Sequence, residues 1–213
     1  MGQNIIKYSA AATLLGTFVN AQENLELIGV PTPSGTGFQP AVTELARDLQ
    51  WLDGMLLIII TAISLFVVFL LGYVIFKFNR KANPEPSSFT HNTPVEVAWT
   101  VVPIVILVFI GAFSIPVLFK QQVIPDGDIN IKVTGYQWYW GYEYPDENII
   151  FDSYMIEEKD LKANQPRLLA VDNEVVVPVD KVVKVLITAN DVLHAWALPS
   201  FGVKRDAVPG RIN

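Results

Sequence analysis

Two long uncharged apolar runs stand out in the chain. Met55–Phe76 and Ala98–Phe119 each contain 22 residues without an acidic or basic side chain. At about 1.5 Å of rise per residue, a helix of that length reaches about 33 Å, enough to cross the hydrocarbon core of a bilayer. The second run contains Pro103 and Pro116, which transmembrane helices tolerate when neighbouring groups satisfy the freed carbonyls. The pattern therefore predicts two transmembrane helices.

The segment between the two runs is basic, with Lys77, Arg80 and Lys81 close together. Because basic loops stay in the cytoplasm, we expect this link to be cytoplasmic. Residues 1–21 are typical of a secretory signal peptide, in which Lys7 precedes a short apolar core and Ala21 ends a small-residue cleavage pattern. Both features predict that the two ends of the mature chain lie outside the cytoplasm.

After residue 120 the pattern changes to the alternation of apolar and polar positions that is typical of β-strands. The predicted strands are Ile129–Val133, Val175–Val179, Lys181–Ile187 and the aromatic run Gly135–Tyr144, after a turn at Asp126-Gly127. In the aromatic run, period-two alternation would place Trp138 and Trp140 on one face. The predicted organisation is a signal peptide (1–21), an external N-terminal segment (22–54), a transmembrane helical hairpin (55–120) and a β-domain (121–213).

Composition and charge limit the classes of partner that the chain is expected to have. The chain has 51% hydrophobic residues, a net charge of −6 and no cysteine. Most of the excess negative charge lies in the predicted β-domain, so nucleic acid is not an expected partner, whereas a basic protein is. Without cysteine no disulfide can form, and the redox compartment is not revealed in that way.

A series of short motifs follows in order from residue 38 to the end of the chain. They are Phe38–Pro40, Gln50–Asp53, Phe78–Arg80, His91–Thr100, Gly135–Tyr144, Phe151–Met155, Leu168–Asn173, Asp191–Trp196 and Lys204–Arg211. Their order and spacing resemble the subunit II family of cytochrome c oxidases, the haem–copper terminal oxidases. With the signal peptide, the similarity is closest to the alphaproteobacterial type.

The resemblance implies a membrane α+β fold, in which the helical hairpin precedes a cupredoxin-like Greek-key β-domain whose C-terminal strands are missing. In the family this domain holds a dinuclear copper centre, CuA, and His194 matches one of its ligands. The bridging cysteines belong to a block that this sequence does not contain. Three explanations stay open: a fragment of a longer protein, a subunit split over two polypeptides, or a relative without copper.

The resemblance also implies roles for single residues. Trp138 matches the ring through which electrons from cytochrome c arrive, and the acids that match the cytochrome docking surface are Glu143, Asp146, Asp152 and Asp191. Glu96 matches the entrance of a proton channel that continues in subunit I. Alternatives stay open: a packing ring for Trp138, an ordinary solvated surface for the acids, a core histidine for His194, and a helix-capping acid for Glu96.

The implied function is that of subunit II of a cytochrome c oxidase in the bacterial inner membrane. It would accept electrons from cytochrome c and pass them through CuA to haem in subunit I, where oxygen reduction drives proton pumping. The chain alone is not expected to be catalytic. Expected partners are the other oxidase subunits, cytochrome c and membrane lipid. The alternatives are a metal-free subunit II of a quinol oxidase and a membrane-anchored binding module without a redox role.

Overall fold

The computed structural model describes residues 27–163 and 165–213, so the predicted signal peptide lies outside the described residues. The chain divides into two compact units, residues 1–40 and Ala41–Asn213. In the first unit, residues 27–40 have no helix or strand, and the N–H of Gly35 closes a turn by donating to the carbonyl of Thr32 at 3.1 Å. The helices and strands described below belong to the second unit.

Two long helices confirm the predicted transmembrane hairpin. Helix α1 spans Glu44–Lys77 and helix α2 spans Thr93–Gln122. Both are long and apolar enough to cross a membrane. They run antiparallel, since the rings of Trp51, near the start of α1, and Phe113, near the end of α2, lie 5.7 Å apart.

Each helix begins before its apolar run because a polar side chain caps it. The Oγ1 of Thr43 accepts the N–H of Ala46 at 3.0 Å at the start of α1. The Oδ1 of Asn92 accepts the N–H of Val95 at 3.4 Å at the start of α2. Such caps satisfy N–H groups that the first helical turn leaves unpaired. Helix α1 consequently contains a polar part, Glu44–Gly54, that precedes the apolar run.

The β-domain contains six described strands. Their bounds are β1 Ile129–Tyr136, β2 Tyr139–Tyr144, β3 Ile149–Ser153, β4 Val183–Ala189, β5 His194–Leu198 and β6 Val203–Ala207. The first four form a sheet of order β3-β2-β1-β4, in which β1 pairs parallel to β4 and the other pairs are antiparallel. Strands β5 and β6 form a separate antiparallel pair.

The core lies on one face of the four-stranded sheet. Its buried residues are Ile131, Val133, Tyr142, Tyr144, Ile187, Ala189 and Ala207. Alternate residues of β1 and β2 supply most of them, as expected for strands with one buried face. The opposite face carries polar residues such as Lys132 and Glu143, which are directly paired across the two strands.

The prediction of one strand through the aromatic run is wrong. Strands β1 and β2 are instead joined by a turn at Gln137 and Trp138, with Tyr136 paired to Tyr139. A two-residue hairpin turn interrupts the alternation, so Trp138 does not share a face with Trp140. Trp138 lies at the tip of the hairpin.

The predicted strand Val175–Val179 is also wrong, because no strand forms there. Its Pro178 has no N–H to donate to a neighbouring strand, and Val176 and Val179 are exposed. At the predicted turn, the chain bends at Asp128 rather than at Asp126-Gly127. Gly127 has a different role, because a Cβ there would lie 2.7 Å from the Cβ of Lys184 in β4.

Candidate functional site

His194 is the first residue of β5, and its imidazole lies directly over Gly135 of β1. A Cβ on Gly135 would come within 2.8 Å of Cδ2 and 2.9 Å of Cγ of that ring. On another side the ring of Trp140 meets the imidazole edge-on, with ring centroids 5.8 Å apart. The His194 side chain is 16% exposed. Gly135 therefore clears the space that the imidazole occupies.

Asp191 connects this histidine to the turn between β1 and β2. Its Oδ1 lies 2.7 Å from Nε2 of His194, and its Oδ2 accepts the N–H of Gln137 at 2.7 Å. The hydrogen bond with His194, helped by those from the Val192 and Gln137 amides, lowers the pKa of Asp191 from 3.8 to about 2, although burial acts in the opposite direction. The carboxylate is therefore ionised at neutral pH. It links His194 to the backbone of Gln137, the residue before Trp138.

Trp138 presents its indole to solvent. The residue is 87% exposed, so it is not a half-buried packing ring. An exposed tryptophan forgoes a large burial contribution to stability. Its position at the hairpin tip, next to the backbone that Asp191 holds, makes it accessible to a partner protein.

Three tyrosines form a stack beside this turn. The rings of Tyr136 and Tyr139 are 4.7 Å apart and nearly parallel at 3°, and those of Tyr139 and Tyr154 are 4.5 Å apart at 23°. Burial, followed by the nearby Tyr154 and Asp152, raises the pKa of Tyr139 above its usual 10. The stack was not predicted, because it needs the turn that brings Tyr136 opposite Tyr139.

The four acids of the predicted docking surface are not equivalent. Asp152 in β3 pairs with Gly141 near the hairpin tip, and Asp191 holds the turn itself. Glu143 is ion-paired, since Nζ of Lys132 lies 3.0 Å from its Oε2.

Asp146 lies beyond the opposite end of β2 from the tip. It accepts a hydrogen bond from Nδ2 of Asn130 at 3.1 Å. At about 3.4 Å per residue, β2 alone separates it from the turn by about 17 Å. The structure thus places Asp152 and Asp191 near Trp138, and Asp146 apart from them.

Two core tyrosines pack behind the site. The Nε1–H of Trp196 donates to the hydroxyl of Tyr142 at 3.3 Å, and the hydroxyl of Tyr144 donates to the carbonyl of Val176 at 2.9 Å. Burial raises the pKa of both tyrosines above 10. Each buried hydroxyl thus has a partner, as a low-polarity core requires.

Glu96 lies in the first turn of α2, at the opposite end of that helix from the β-domain. Its Oε1 accepts the N–H of Asn92 at 3.0 Å, which completes a reciprocal cap with the Asn92 side chain. A helix of 30 residues is about 45 Å long. Glu96 is therefore remote from Trp138 and His194, and its capping interpretation has direct geometric support.

The side chains of this chain do not by themselves fit a dinuclear copper centre. Within residues 27–163 and 165–213 there is no group of three or more His, Cys, Asp or Glu residues placed to hold a metal ion. Bridging thiolates suit copper best, and the sequence contains no cysteine. The imidazole of His194 is held by the carboxylate of Asp191 at 2.7 Å, the kind of contact that orients histidines in metal sites.

Comparisons with known proteins assign the chain to a family. A family model described as "Cytochrome C oxidase subunit II, transmembrane domain" matches residues 31–117, and one described as "Cytochrome C oxidase subunit II, periplasmic domain" matches residues 129–213. The chain belongs to the cytochrome c oxidase subunit II family. This membership confirms the predicted fold class, a transmembrane hairpin followed by a cupredoxin-like β-domain.

Individual relatives agree with this assignment. Cytochrome c oxidase subunit 2 of Cereibacter sphaeroides is 53% identical over 222 residues, which cover 95% of this chain and 73% of that protein. Probable cytochrome c oxidase subunit 2 of Rickettsia felis is 51% identical over 86% of this chain and 58% of its own length. The chain thus spans only part of these subunit II proteins.

A solved structure is also similar in sequence. The periplasmic domain of subunit II of cytochrome oxidase (CoxB) of Bradyrhizobium japonicum is 56% identical to this chain. The match covers 43% of this chain and 63% of that domain, with a TM-score of 0.39.

Proposed function

We propose that this chain serves as the membrane-anchored subunit II of a cytochrome c oxidase, and that electrons from cytochrome c arrive at the indole of Trp138. The observation that carries the proposal is the exposure of Trp138, 87%, on a turn that Asp191 links to His194 through two hydrogen bonds of 2.7 Å. Electrons would pass on to haem in subunit I, where oxygen is reduced and protons are pumped. Copper would be ligated by His194 together with thiolates that this sequence does not contain.

Docking of cytochrome c would depend on the acids near the hairpin tip. Asp152 and Asp191 are close to Trp138, whereas Glu143 is neutralised in part by Lys132. An acidic surface attracts a basic electron carrier and raises the association rate, an effect that salt screens. Asp146 is the most remote of the four, and we expect it to contribute least.

The complete oxidase provides the test. Trp138→Ala should slow electron uptake from reduced cytochrome c in stopped-flow measurements and leave the affinity for the cytochrome nearly unchanged. Asp152→Asn should do the reverse, with a lower association rate and a flatter salt dependence. Trp138→Phe keeps an aromatic ring and serves as the matched control. Unchanged electron uptake in Trp138→Ala would refute Trp138 as the residue at which electrons arrive, whereas a complete complex that takes up no electrons from cytochrome c would favour a metal-free subunit or a binding module.

We further propose that the protein lies in the bacterial inner membrane with the β-domain and the mature N-terminus in the periplasm. The basic residues between α1 and α2 support this orientation. Protease added to intact spheroplasts should cleave the β-domain and spare the link around Arg80. Cleavage of the link alone would show that the orientation in the membrane is the opposite of the one proposed.

A second functional site, for proton uptake, would lie at the cytoplasmic end of α2. We propose that Glu96 marks the entrance of a proton channel that continues in subunit I, in addition to its bond to the N–H of Asn92. A carboxylate so close to hydrocarbon is costly unless water or a partner reaches it. Contact with water is what a proton entrance requires.

A further inference from the structure

The turn between β5 and β6 is attached to the residues that immediately precede α1. The N–H of Val42 donates to the carbonyl of Ser200 at 2.9 Å. The Oγ1–H of Thr43 donates to the carbonyl of Phe201 at 2.7 Å, across 158 positions of sequence. The two residues that precede α1 are thus joined to backbone carbonyls of the turn between β5 and β6.

The Thr43 hydroxyl has two partners at once. Its oxygen accepts the N–H of Ala46, which caps α1, while its proton goes to the carbonyl of Phe201. A hydroxyl has one proton to donate and lone pairs to accept, so both interactions are satisfied together. The start of the helix and the attachment of the β-domain consequently depend on one atom.

Gly202 brings the two backbones into contact. A Cβ on this residue would lie 2.9 Å from Cα of Ala46 and 3.1 Å from Cδ1 of Leu49. Its φ is +73°, a conformation that favours glycine. On the other side of the contact, Ala46 is only 2% exposed. Any side chain at position 202 would force the β-domain away from α1.

A second attachment lies at the end of α2. The Nη2 of Arg205 in β6 donates to the carbonyl of Gln121 at 2.8 Å. The adjacent Lys120 reaches back to α1, with its Nζ 3.0 Å from Oε1 of Glu44 and 2.6 Å from Oδ2 of Asp48. The β-domain is therefore attached to both helices, and the helix ends are attached to each other, which restricts rotation about either attachment.

We propose that this contact, made by Val42, Thr43 and Ala46 with Ser200, Phe201 and Gly202, is a rigid joint that fixes the β-domain over the membrane helices. Thr43 and Gly202 are its positioning residues. The existence of the joint does not depend on the proposed function. Its consequence does: with electrons passing from the β-domain to haem in the membrane, a fixed distance between the two keeps that internal transfer fast.

The joint can be tested without any redox assay. Because the sequence has no cysteine, Ser200→Cys introduces a single thiol at a position that is 8% exposed. In the full chain in lipid nanodiscs, its labelling by a water-soluble maleimide reports opening of the joint. Hydrogen exchange of the Val42 amide, in chains that keep Ser200, measures the same opening independently.

Three substitutions of Thr43 separate its two bonds. Thr43→Ser keeps both and should behave as the parent. Thr43→Asp keeps a cap acceptor but has no proton for Phe201, so labelling and exchange should be about fivefold faster, the factor for one ordinary hydrogen bond. Thr43→Val loses both bonds and should open at least as readily. Equal labelling and exchange rates in Thr43→Asp and Thr43→Ser would overturn the proposal that Thr43 holds the joint.

The positioning role is tested in the complete oxidase. Gly202→Ala should slow internal electron transfer to haem and leave the bimolecular rate with cytochrome c unchanged. Gly210→Ala is the matched control, because Gly210 has a φ of +74° but no atom within 4 Å of an added Cβ. Equal internal rates in the two variants would overturn the positioning role. Failure of the proposed function would appear elsewhere, as a normal bimolecular rate in Trp138→Ala.

Discussion

The substitution Gly135→Ala tests how the fold holds the imidazole of His194. The new methyl group would lie 2.8 Å from Cδ2, 2.9 Å from Cγ and 3.1 Å from Cβ of the histidine. These contacts are well inside van der Waals distance, so the side chain must move. It cannot do so and keep its 2.7 Å bond to Asp191 unless the loop moves with it.

The expected cost follows from two opposing effects. Overpacking a filled interior usually destabilises by about 1–3 kcal/mol. Replacing glycine by alanine also restricts the unfolded chain, which stabilises by about 0.4–1 kcal/mol. We therefore expect the free energy of unfolding to fall by about 1–2 kcal/mol in Gly135→Ala.

Gly141→Ala is the matched control on the neighbouring strand. There the added Cβ would meet the ends of two side chains, Cε2 of the half-buried Tyr136 at 3.1 Å and Oδ1 of the exposed Asp152 at 3.3 Å. Because such ends can shift, we expect a change within about 0.5 kcal/mol.

Urea unfolding of the full chain in detergent micelles gives both free energies. The chain has two histidines, so NMR of the imidazole nitrogens separates His194 from His91. Gly135→Ala should shift the His194 signals and leave those of His91 in place. If Gly135→Ala were as stable as Gly141→Ala and the His194 signals did not move, the close contact described here would be wrong.

Three further outcomes are expected. Lys132→Met frees Glu143, so the association rate of the complete oxidase with cytochrome c should rise at low salt by a factor on the order of two; no rise beyond that of the control Lys184→Met would contradict this. Glu96→Gln keeps an oxygen for the helix cap but loses its proton-carrying group, so proton uptake should slow while the helix stays intact; normal kinetics would leave Glu96 a cap alone. The raised pKa of Tyr142 makes stability complete below pH 10 and reduces it as pH rises through the folded pKa. Tyr142→Phe should weaken that loss, measured as urea midpoints at pH 9 and pH 11, and an unchanged loss would contradict it.

The membrane helices were predictable as elements but not in their bounds. Apolar length alone identified both spans, since about 20 such residues suffice to cross a bilayer. The start of α1 at Glu44 was not predicted. It depends on Thr43, whose second partner, Phe201, comes from the other end of the chain.

The strands show where local pattern misleads. Ile129–Val133 alternates apolar and polar residues and is a strand, whereas Val175–Val179, which follows this alternation less strictly, is not a strand. What decides is the partner, since an alternating segment becomes a strand only where a neighbouring strand accepts its hydrogen bonds. Gln137-Trp138 lacks the glycine or asparagine that usually indicates a two-residue turn, so its hairpin could not be recognised from composition.

The site was predictable in its residue types but not in its contacts. The motif around His194 indicates a metal ligand, but the sequence alone does not distinguish Asp191, three residues earlier, from an ordinary surface acid. The space over Gly135 becomes visible once β1 and β5 are placed together. A glycine within a strand signals a close approach but does not say of what.

The polar beginning of α1 has a consequence for how the chain tolerates insertions. One extra residue between Glu44 and Gly54 would turn the preceding part of the helix by about 100° and displace it by about 1.5 Å along the axis. Thr43 would then point away from Phe201, while Arg205 would still hold the end of α2. Homologous chains should therefore keep a constant length here and vary instead in the link between the two helices, where an added residue disturbs neither attachment.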